Sequence, residues 1–140
     1  ISKASGEWNG TLKTDKGVIK PANGSDVPFS LGTRFEGVKG SNPEEMIGAA
    51  LAGCFSMALS LGLEKGGVTP VAIKTSADVH LDKDGDGFSI KTIDLKTSIT
   101  ATGGDEEKIK AIAAETKKQC PVSKALGGVT INLEATVTAG

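Results

Sequence analysis

The uncharged stretch from Met46 to Leu63 most constrains how this chain can fold. Asn42 can cap a helix that begins at Pro43, and Glu45, three residues after the cap, completes the spacing of a capping box. A helix that is apolar or small on every side is not expected at a protein surface. We also expect it to be too short, and too rich in Ala, Gly and Ser, for a membrane span. The stretch therefore predicts a buried central helix.

Two kinds of side chain alternate along this helix. Small residues leave room for another backbone to approach closely, and they are Ala49, Ala50, Ala52, Gly53, Ser56 and Ala58. Larger apolar residues repeat every four positions and form a packing ridge, and they are Ile47, Leu51, Phe55, Leu59 and Leu63. Cys54 lies among them, and a lone cysteine in such a helix is most simply a buried core residue.

Hydrophobic periodicity and turn residues divide the rest of the chain into strands and helices. The predicted elements are a hairpin over 7–20 turning at Asp15-Lys16-Gly17, strands over 29–35, 73–81, 88–99 and 129–137, a helix from Asp105 to Cys120 and a short turn over 121–126. The apolar parity changes between Ile90 and Ile93, which predicts a bulge or a change of sheet face there. This order predicts a single α+β domain over residues 1–140.

Composition narrows the classes of partner. The 140 residues carry a net charge of −1 with no basic run, so nucleic acid is not an expected partner. The sequence shows no signal peptide or lipidation motif, so we expect a cytoplasmic protein without a membrane partner. The one histidine, His80, falls on the polar side of its predicted strand, which favours an exposed strand residue over a metal ligand. We therefore expect no metal and no cofactor.

The second cysteine changes the interpretation of Cys54. Cys120 lies at the inward end of the second helix, so the two thiols could meet in the core. A structural disulfide is the simpler alternative, but a chain that buries an adequate core has little need of one, and a redox pair is more natural. A reactive thiolate in an apolar setting needs a nearby positive charge or the amides of a helix terminus. Arg34, the sole arginine, is the candidate, although an exposed strand residue is its simpler interpretation.

Four blocks of this sequence carry a family resemblance. They are residues 33–37 (Thr-Arg-Phe-Glu-Gly), 40–50, 54–60 and 120–123 (Cys-Pro-Val-Ser). Together they resemble the osmotically inducible protein C (OsmC) group of peroxidases, within the OsmC/Ohr superfamily. The resemblance implies an OsmC-like α+β fold with antiparallel sheets wrapped around a buried central helix. It also implies an intertwined homodimer whose two active sites lie at the subunit interface.

The same resemblance implies thiol-dependent reduction of organic hydroperoxides, and more weakly of hydrogen peroxide, in oxidative and osmotic stress defence. It assigns Cys54 as the peroxidatic thiol, Cys120 as the resolving thiol, Arg34 as the activating cation and Glu44 as the carboxylate that orients Arg34. A Cys54 sulfenate would condense with Cys120 to a disulfide. An external dithiol, with a lipoylated protein as one candidate, would then restore both thiols.

Two other functions remain open on the sequence: a thiol redox sensor, and a dimeric binding protein whose cysteines belong only to the core. Helix geometry bears on assembly. Glu44 precedes Cys54 by ten residues, or about 15 Å along one helix axis. Two copies of the helix packed antiparallel would carry the Glu44 end of one chain towards Cys54 of the other. The spacing therefore favours a site that needs both subunits.

Overall fold

The computed structural model describes residues 1–140, which form two compact units over residues 1–46 and 47–140. The elements are β1 (Ala4–Asn9), β2 (Lys16–Pro21), β3 (Val27–Ser30), α1 (Leu31–Phe35), α2 (Pro43–Lys65), β4 (Thr69–Asp84), β5 (Gly87–Thr102), α3 (Glu106–Gln119), α4 (Pro121–Ala125) and β6 (Thr130–Ala139). Helix α2 begins in the first unit and continues into the second. The sequence-based expectation of a single domain stays a prediction.

The first unit contains an antiparallel sheet in the order β1-β2-β3. Gly17 on β2 lies between Trp8 and Phe29 on the flanking strands, and the two rings are 5.7 Å apart. A Cβ atom at Gly17 would come within 2.8 Å of both rings, so the missing side chain allows them to meet. The predicted hairpin is therefore present.

The turn of this hairpin differs from the prediction. It occupies residues 10–15 rather than Asp15-Lys16-Gly17, because Lys16 and Gly17 already belong to β2. The Asp15 carboxylate accepts hydrogen bonds from the backbone N–H of Thr11 and from the hydroxyls of Thr11 and Thr14. Asp15 thus closes the loop from its end instead of opening the turn.

The strand predicted over residues 29–35 was also wrong beyond Ser30. Residues Leu31–Phe35 form the short helix α1, capped by reciprocal hydrogen bonds between Ser30 and Thr33. This capping box satisfies donors at the start of the helix. Arg34 therefore lies in the last turn of a helix, not on a strand.

The second unit is built on the sheet β4-β5-β6. Strands β4 and β5 are antiparallel, whereas β5 and β6 are parallel, which corrects the expectation of antiparallel sheets. The reason is the connection, since α3 and α4 form a crossover that returns the chain to the same end of the sheet. The predicted bulge is confirmed: Lys91 is left unpaired between the pairs His80–Thr92 and Leu81–Ile90.

The larger apolar residues of α2 form much of the core of this unit. Leu51, Phe55, Leu59 and Leu63 are fully buried, as their four-residue spacing predicts. Full burial of each such side chain stabilises the fold by about 1.5–3 kcal/mol. They pack in a cluster with buried residues of β5 and α3, namely Ile93, Leu95, Ile99, Ala101, Ile109 and Ala113.

The opposite face of α2 is not buried within one chain. Its exposed residues include Ala49, Ala50, Gly53, Met57 and Leu61. Met57 is 76% exposed and Leu61 is 53% exposed. A single chain therefore buries one face of this central helix and leaves the other uncovered. The exclusion of a membrane span by length is wrong, because the 23-residue helix is long and apolar enough to cross a membrane; its buried ridge shows it to be a core helix.

Candidate active site

The two cysteines meet inside the second unit, as the sequence predicts. Cys54 on α2 is half-buried and Cys120 is fully buried, and both are free thiols. Their Sγ atoms lie 2.9 Å apart, with the Cys120 thiol donating to Cys54. A disulfide bond is about 2.0 Å long, so a movement of roughly 1 Å would join the two sulfurs.

Local structure explains why Cys120 points inward. Asp105 caps α3 by accepting a hydrogen bond from Lys108 N, and the buried face of this helix carries Ile109, Ala113 and Thr116. Cys120 continues that face one turn later, and its N–H donates to Thr116 O. Pro121 then begins α4, so the chain turns away just after the sulfur has been placed.

Burial sets the acidity of this pair. It raises the pKa of the Cys54 thiol, and the hydrogen bond with Cys120 raises it further. At Cys120 burial also raises the pKa, but the hydrogen bond with Cys54 and the nearby N–H groups of Ser123 and Val122 outweigh it, so the pKa is lowered overall.

The two sulfurs must be treated as one acid. The donor direction of their hydrogen bond favours negative charge on Cys54, whereas the two pKa directions favour it on Cys120. Because one proton lies between the two sulfurs, the first negative charge belongs to the pair. A positive charge near either sulfur would decide which of the two carries the thiolate.

The first unit holds a partly buried ion pair, in which the carboxylate is buried and the guanidinium is not. Glu44 is only 6% exposed, and its Oε1 accepts hydrogen bonds from both Nε and Nη2 of Arg34, the Nε contact being 2.9 Å. The Arg34 side chain is 35% exposed and lies 5.4 Å from the centre of the Phe35 ring. A carboxylate holding two donors of one guanidinium fixes the orientation of that guanidinium.

The four residues assigned by resemblance thus form two pairs, Arg34 with Glu44 in the first unit and Cys54 with Cys120 in the second. Sequence reasoning assigned no role to Ser123, which lies within the resembling block at residues 120–123. Ser123 is only 8% exposed, and its buried hydroxyl has no hydrogen-bond partner. A position three residues after Cys120, at the start of a Pro-initiated helix, is the signal that could have found it.

His80 lies away from both pairs in sequence and on an exposed strand position, as predicted. Its Nε2 is 2.7 Å from Asp94 Oδ2 on the neighbouring strand, and Asn132 Nδ2 donates to the other oxygen of Asp94. The hydrogen bond with Asp94 raises the pKa of His80. This arrangement is a cross-strand polar pair between β4 and β5.

The fold and the facing thiols define an α+β protein with a two-cysteine site. A family model described as "OsmC-like protein" matches residues 36–134. The chain belongs to this family. It is 47% identical over 126 residues to Peroxiredoxin OsmC of Escherichia coli K12, covering 89% of this chain and 88% of the relative.

Two further comparisons agree with that membership. The chain is 30% identical over 136 residues to Organic hydroperoxide resistance protein-like 1 of Staphylococcus saprophyticus, covering 94% of this chain and 90% of the relative. The crystal structure of an OsmC-like protein from Mycoplasma pneumoniae superimposes with a TM-score of 0.76, covering 99% of this chain and 97% of that one. At 18% identity this last likeness shows the fold alone. The fold is therefore OsmC-like.

Proposed function

We propose that this chain reduces organic hydroperoxides, and hydrogen peroxide more weakly, through a Cys54 sulfenate and a Cys54–Cys120 disulfide. Its membership of the family and its 47% identity to a peroxiredoxin make it a cysteine-based peroxidase. The observation that carries the two-cysteine mechanism is the 2.9 Å distance between the free sulfurs. Preference for organic substrates rests on the apolar core cluster against which Cys54 packs. The name of the Staphylococcus relative also supports it.

The proposed cycle has three steps. The Cys54 thiol first loses its proton; the thiolate attacks the hydroperoxide, the O–O bond breaks, a sulfenic acid remains, and the departing alkoxide takes up one proton to leave as an alcohol. Cys120 attacks that sulfur, so the S–S bond forms while the S–O bond breaks and water leaves. An external dithiol, such as a lipoylated protein, then reduces the disulfide and is itself oxidised. The protein needs no bound cofactor for this cycle, which we place in cytoplasmic stress defence.

Arg34 is the proposed source of the charge that fixes the thiolate on Cys54. Two of its donors are held by Glu44, while the remaining nitrogen, Nη1, is not used in that pair. A guanidinium is always charged and can bridge two anions with its planar fork. Glu44 is therefore the positioning residue, and Arg34 the group that contacts the sulfur in the assembled site.

We propose that the protein is a homodimer and that each complete site contains residues of both chains. In a single chain the face of α2 with Met57 and Leu61 is exposed. The first unit buries only Gly17 and Glu44, so its three-stranded sheet has almost no core of its own. Such a small sheet requires packing against something else to be stable. A second copy, with its α2 antiparallel to the first, would cover this face and carry each Arg34–Glu44 pair towards the partner's cysteines.

Thiol titration tests this function. One equivalent of cumene hydroperoxide should remove two free thiols per chain quickly, and an added dithiol should then support turnover. A higher kcat/KM for cumene hydroperoxide than for hydrogen peroxide is expected. Unchanged thiols would favour a binding protein with core cysteines, whereas thiol loss without turnover would favour a redox sensor.

A further inference from the structure

The hydroxyl of Ser123 has no hydrogen-bond partner in this structure, although its oxygen is buried and the residue is only 8% exposed. A buried hydroxyl without a partner destabilises the state in which it occurs. Polar groups of this kind are rare in native proteins, and a redox or catalytic role is one of the reasons for which they occur. We therefore looked for a group near Ser123 that becomes negatively charged during the reaction and could then accept a hydrogen bond from the hydroxyl.

The sulfur of Cys120 meets that requirement. Ser123 lies three residues further along, in α4, for which Cys120 is the N-terminal flanking residue. The Ser123 hydroxyl is near enough to lower the pKa of Cys120, as a donor to the thiolate does. The titratable group facing Cys120 is the Cys54 thiol of α2. The other buried hydroxyl nearby in the chain, Thr116, is already bonded to Ile112 O at 2.8 Å.

On the basis of the proposed peroxidase function, we propose that Ser123 is a positioning residue whose hydroxyl donates a hydrogen bond to Cys120 whenever that sulfur is a thiolate. The main consequence falls on the reductive step. A dithiol thiolate attacks the Cys54 sulfur, the S–S bond breaks, and Cys120 leaves with the electron pair. The second thiol of the reductant then attacks the mixed disulfide, loses its proton and releases Cys54.

A stabilised Cys120 thiolate makes this exchange faster, because a leaving thiol with a lower pKa departs more readily. It also directs the reductant to Cys54, since attack there releases the better leaving group. The hydroxyl therefore makes the two sulfurs of the disulfide unequal, with Cys54 as the sulfur that is attacked and Cys120 as the sulfur that leaves. The first step, attack of Cys54 on the hydroperoxide, does not use this hydrogen bond.

Alkylation kinetics test the hydrogen bond without any peroxidase reaction. In a Cys54→Ala background, the rate of reaction of Cys120 with iodoacetamide is followed against pH. Adding Ser123→Ala should move the profile up by roughly one pH unit, the size expected for a hydrogen bond to a charged group. Ser123→Thr retains a hydroxyl and should leave the profile near its original position. Coincident profiles with and without Ser123→Ala would overturn the proposal.

The half-reactions are measured in the chain with both cysteines. Ser123→Ala should slow reduction of the disulfide by a dithiol about tenfold near neutral pH, and should not slow the oxidation of Cys54, because the hydroxyl does not support negative charge on Cys54. Thr116→Val removes a buried hydroxyl that is bonded elsewhere, and should change neither rate. Equal losses in both half-reactions, or an unfolded Ser123→Ala protein, would overturn the proposal. Failure of the wild type to lose thiols would instead refute the peroxidase function, and the alkylation test would still decide on Ser123.

Discussion

At the scale of single residues, the cysteine pair needs its environment to give each sulfur a different role. Burial raises the pKa of Cys54, while groups at the start of α4 favour negative charge on Cys120. In the proposed mechanism, chemistry at Cys54 therefore depends on a cation that the pair itself lacks. This dependence makes the roles of the two cysteines separable by substitution.

Replacing each cysteine should give different results. Cys54→Ser should lower peroxide reduction to the rate without protein, because a serine hydroxyl does not ionise near neutral pH or form a sulfenate. Cys120→Ser should allow one turnover and leave a Cys54 sulfenate that over-oxidises in excess peroxide. Mass spectrometry of the peptides checks both results. If the first oxygen in the wild type were found on Cys120, the two roles would be reversed.

Substitution of the ion pair tests the activation of Cys54. Arg34→Lys should lower kcat/KM for an alkyl hydroperoxide about 10- to 100-fold, since an ammonium cannot present a planar fork to a carboxylate and a thiolate together. Glu44→Gln should act in the same direction. Glu45→Gln is the matched control, because Glu45 is exposed and bonded to Ser41. A wild-type rate in Arg34→Lys at unchanged thermal stability would limit Arg34 to a structural role.

Only part of the candidate site could be predicted from the sequence. The meeting of Cys54 and Cys120 followed from helix periodicity, since the inward face of α3 is readable from its apolar spacing. The contact between Arg34 and Glu44 came from resemblance alone, because no local pattern records which carboxylate a distant arginine contacts. The position of Ser123 three residues after Cys120 was visible in the sequence, but its burial and the missing partner of its hydroxyl were not, since both depend on packing.

At the scale of elements, the cross-strand pair of β4 and β5 predicts a pH dependence of stability. The pKa of His80 is raised by its hydrogen bond with Asp94, and hydrogen bonds from Asn132 and His80 lower that of Asp94. The stabilisation from His80 is fully present below its unfolded pKa and is lost as pH rises through the raised folded value. That from Asp94 is present above its unfolded pKa and is lost as pH falls through the lowered one.

His80→Gln should therefore reduce the thermal midpoint most at about pH 5–6, where the wild-type residues are both charged. The difference should shrink at alkaline pH, where His80 is neutral in the wild type. The effect should be small because both side chains are well exposed. Thermal melts of the two proteins across this range measure it, and a difference independent of pH would contradict the ion-pair account.

The elements that the sequence predicted wrongly have identifiable physical causes. The segment 29–35 is too short to show a clear hydrophobic period. The capping box of Ser30 and Thr33 stabilises helix α1 there instead of a strand. Strand alternation does not report the direction of the neighbouring strand, so the parallel pairing of β6 was not predictable from it. An apolar helix shows that its faces must be covered, but not whether the same chain covers them.

At the scale of the whole molecule, the most important question is whether the exposed face of α2 is covered by its own chain or by a second one. The small and apolar residues on the outer face of α2 remain exposed in one chain, and the first unit buries no large apolar side chain. Exposed apolar surface of this extent marks an interaction site. If a second copy covers it, then assembly and chemistry share one cause, because the same contact stabilises the fold and completes the site.

A charge placed on this face should therefore separate the subunits and abolish activity together. Ala50→Glu puts a carboxylate at an exposed position of α2 where a second helix would approach closely, and an unpaired charge buried there costs several kcal/mol. Ala114→Glu is the matched control, an exposed alanine of α3 with Lys110 and Lys118 one turn away on either side. Light scattering and peroxidase assays on serial dilution should show mass and activity falling together in the first variant only. A fully active monomer would contradict the shared site, and Arg34 would then have to act on Cys54 within its own chain.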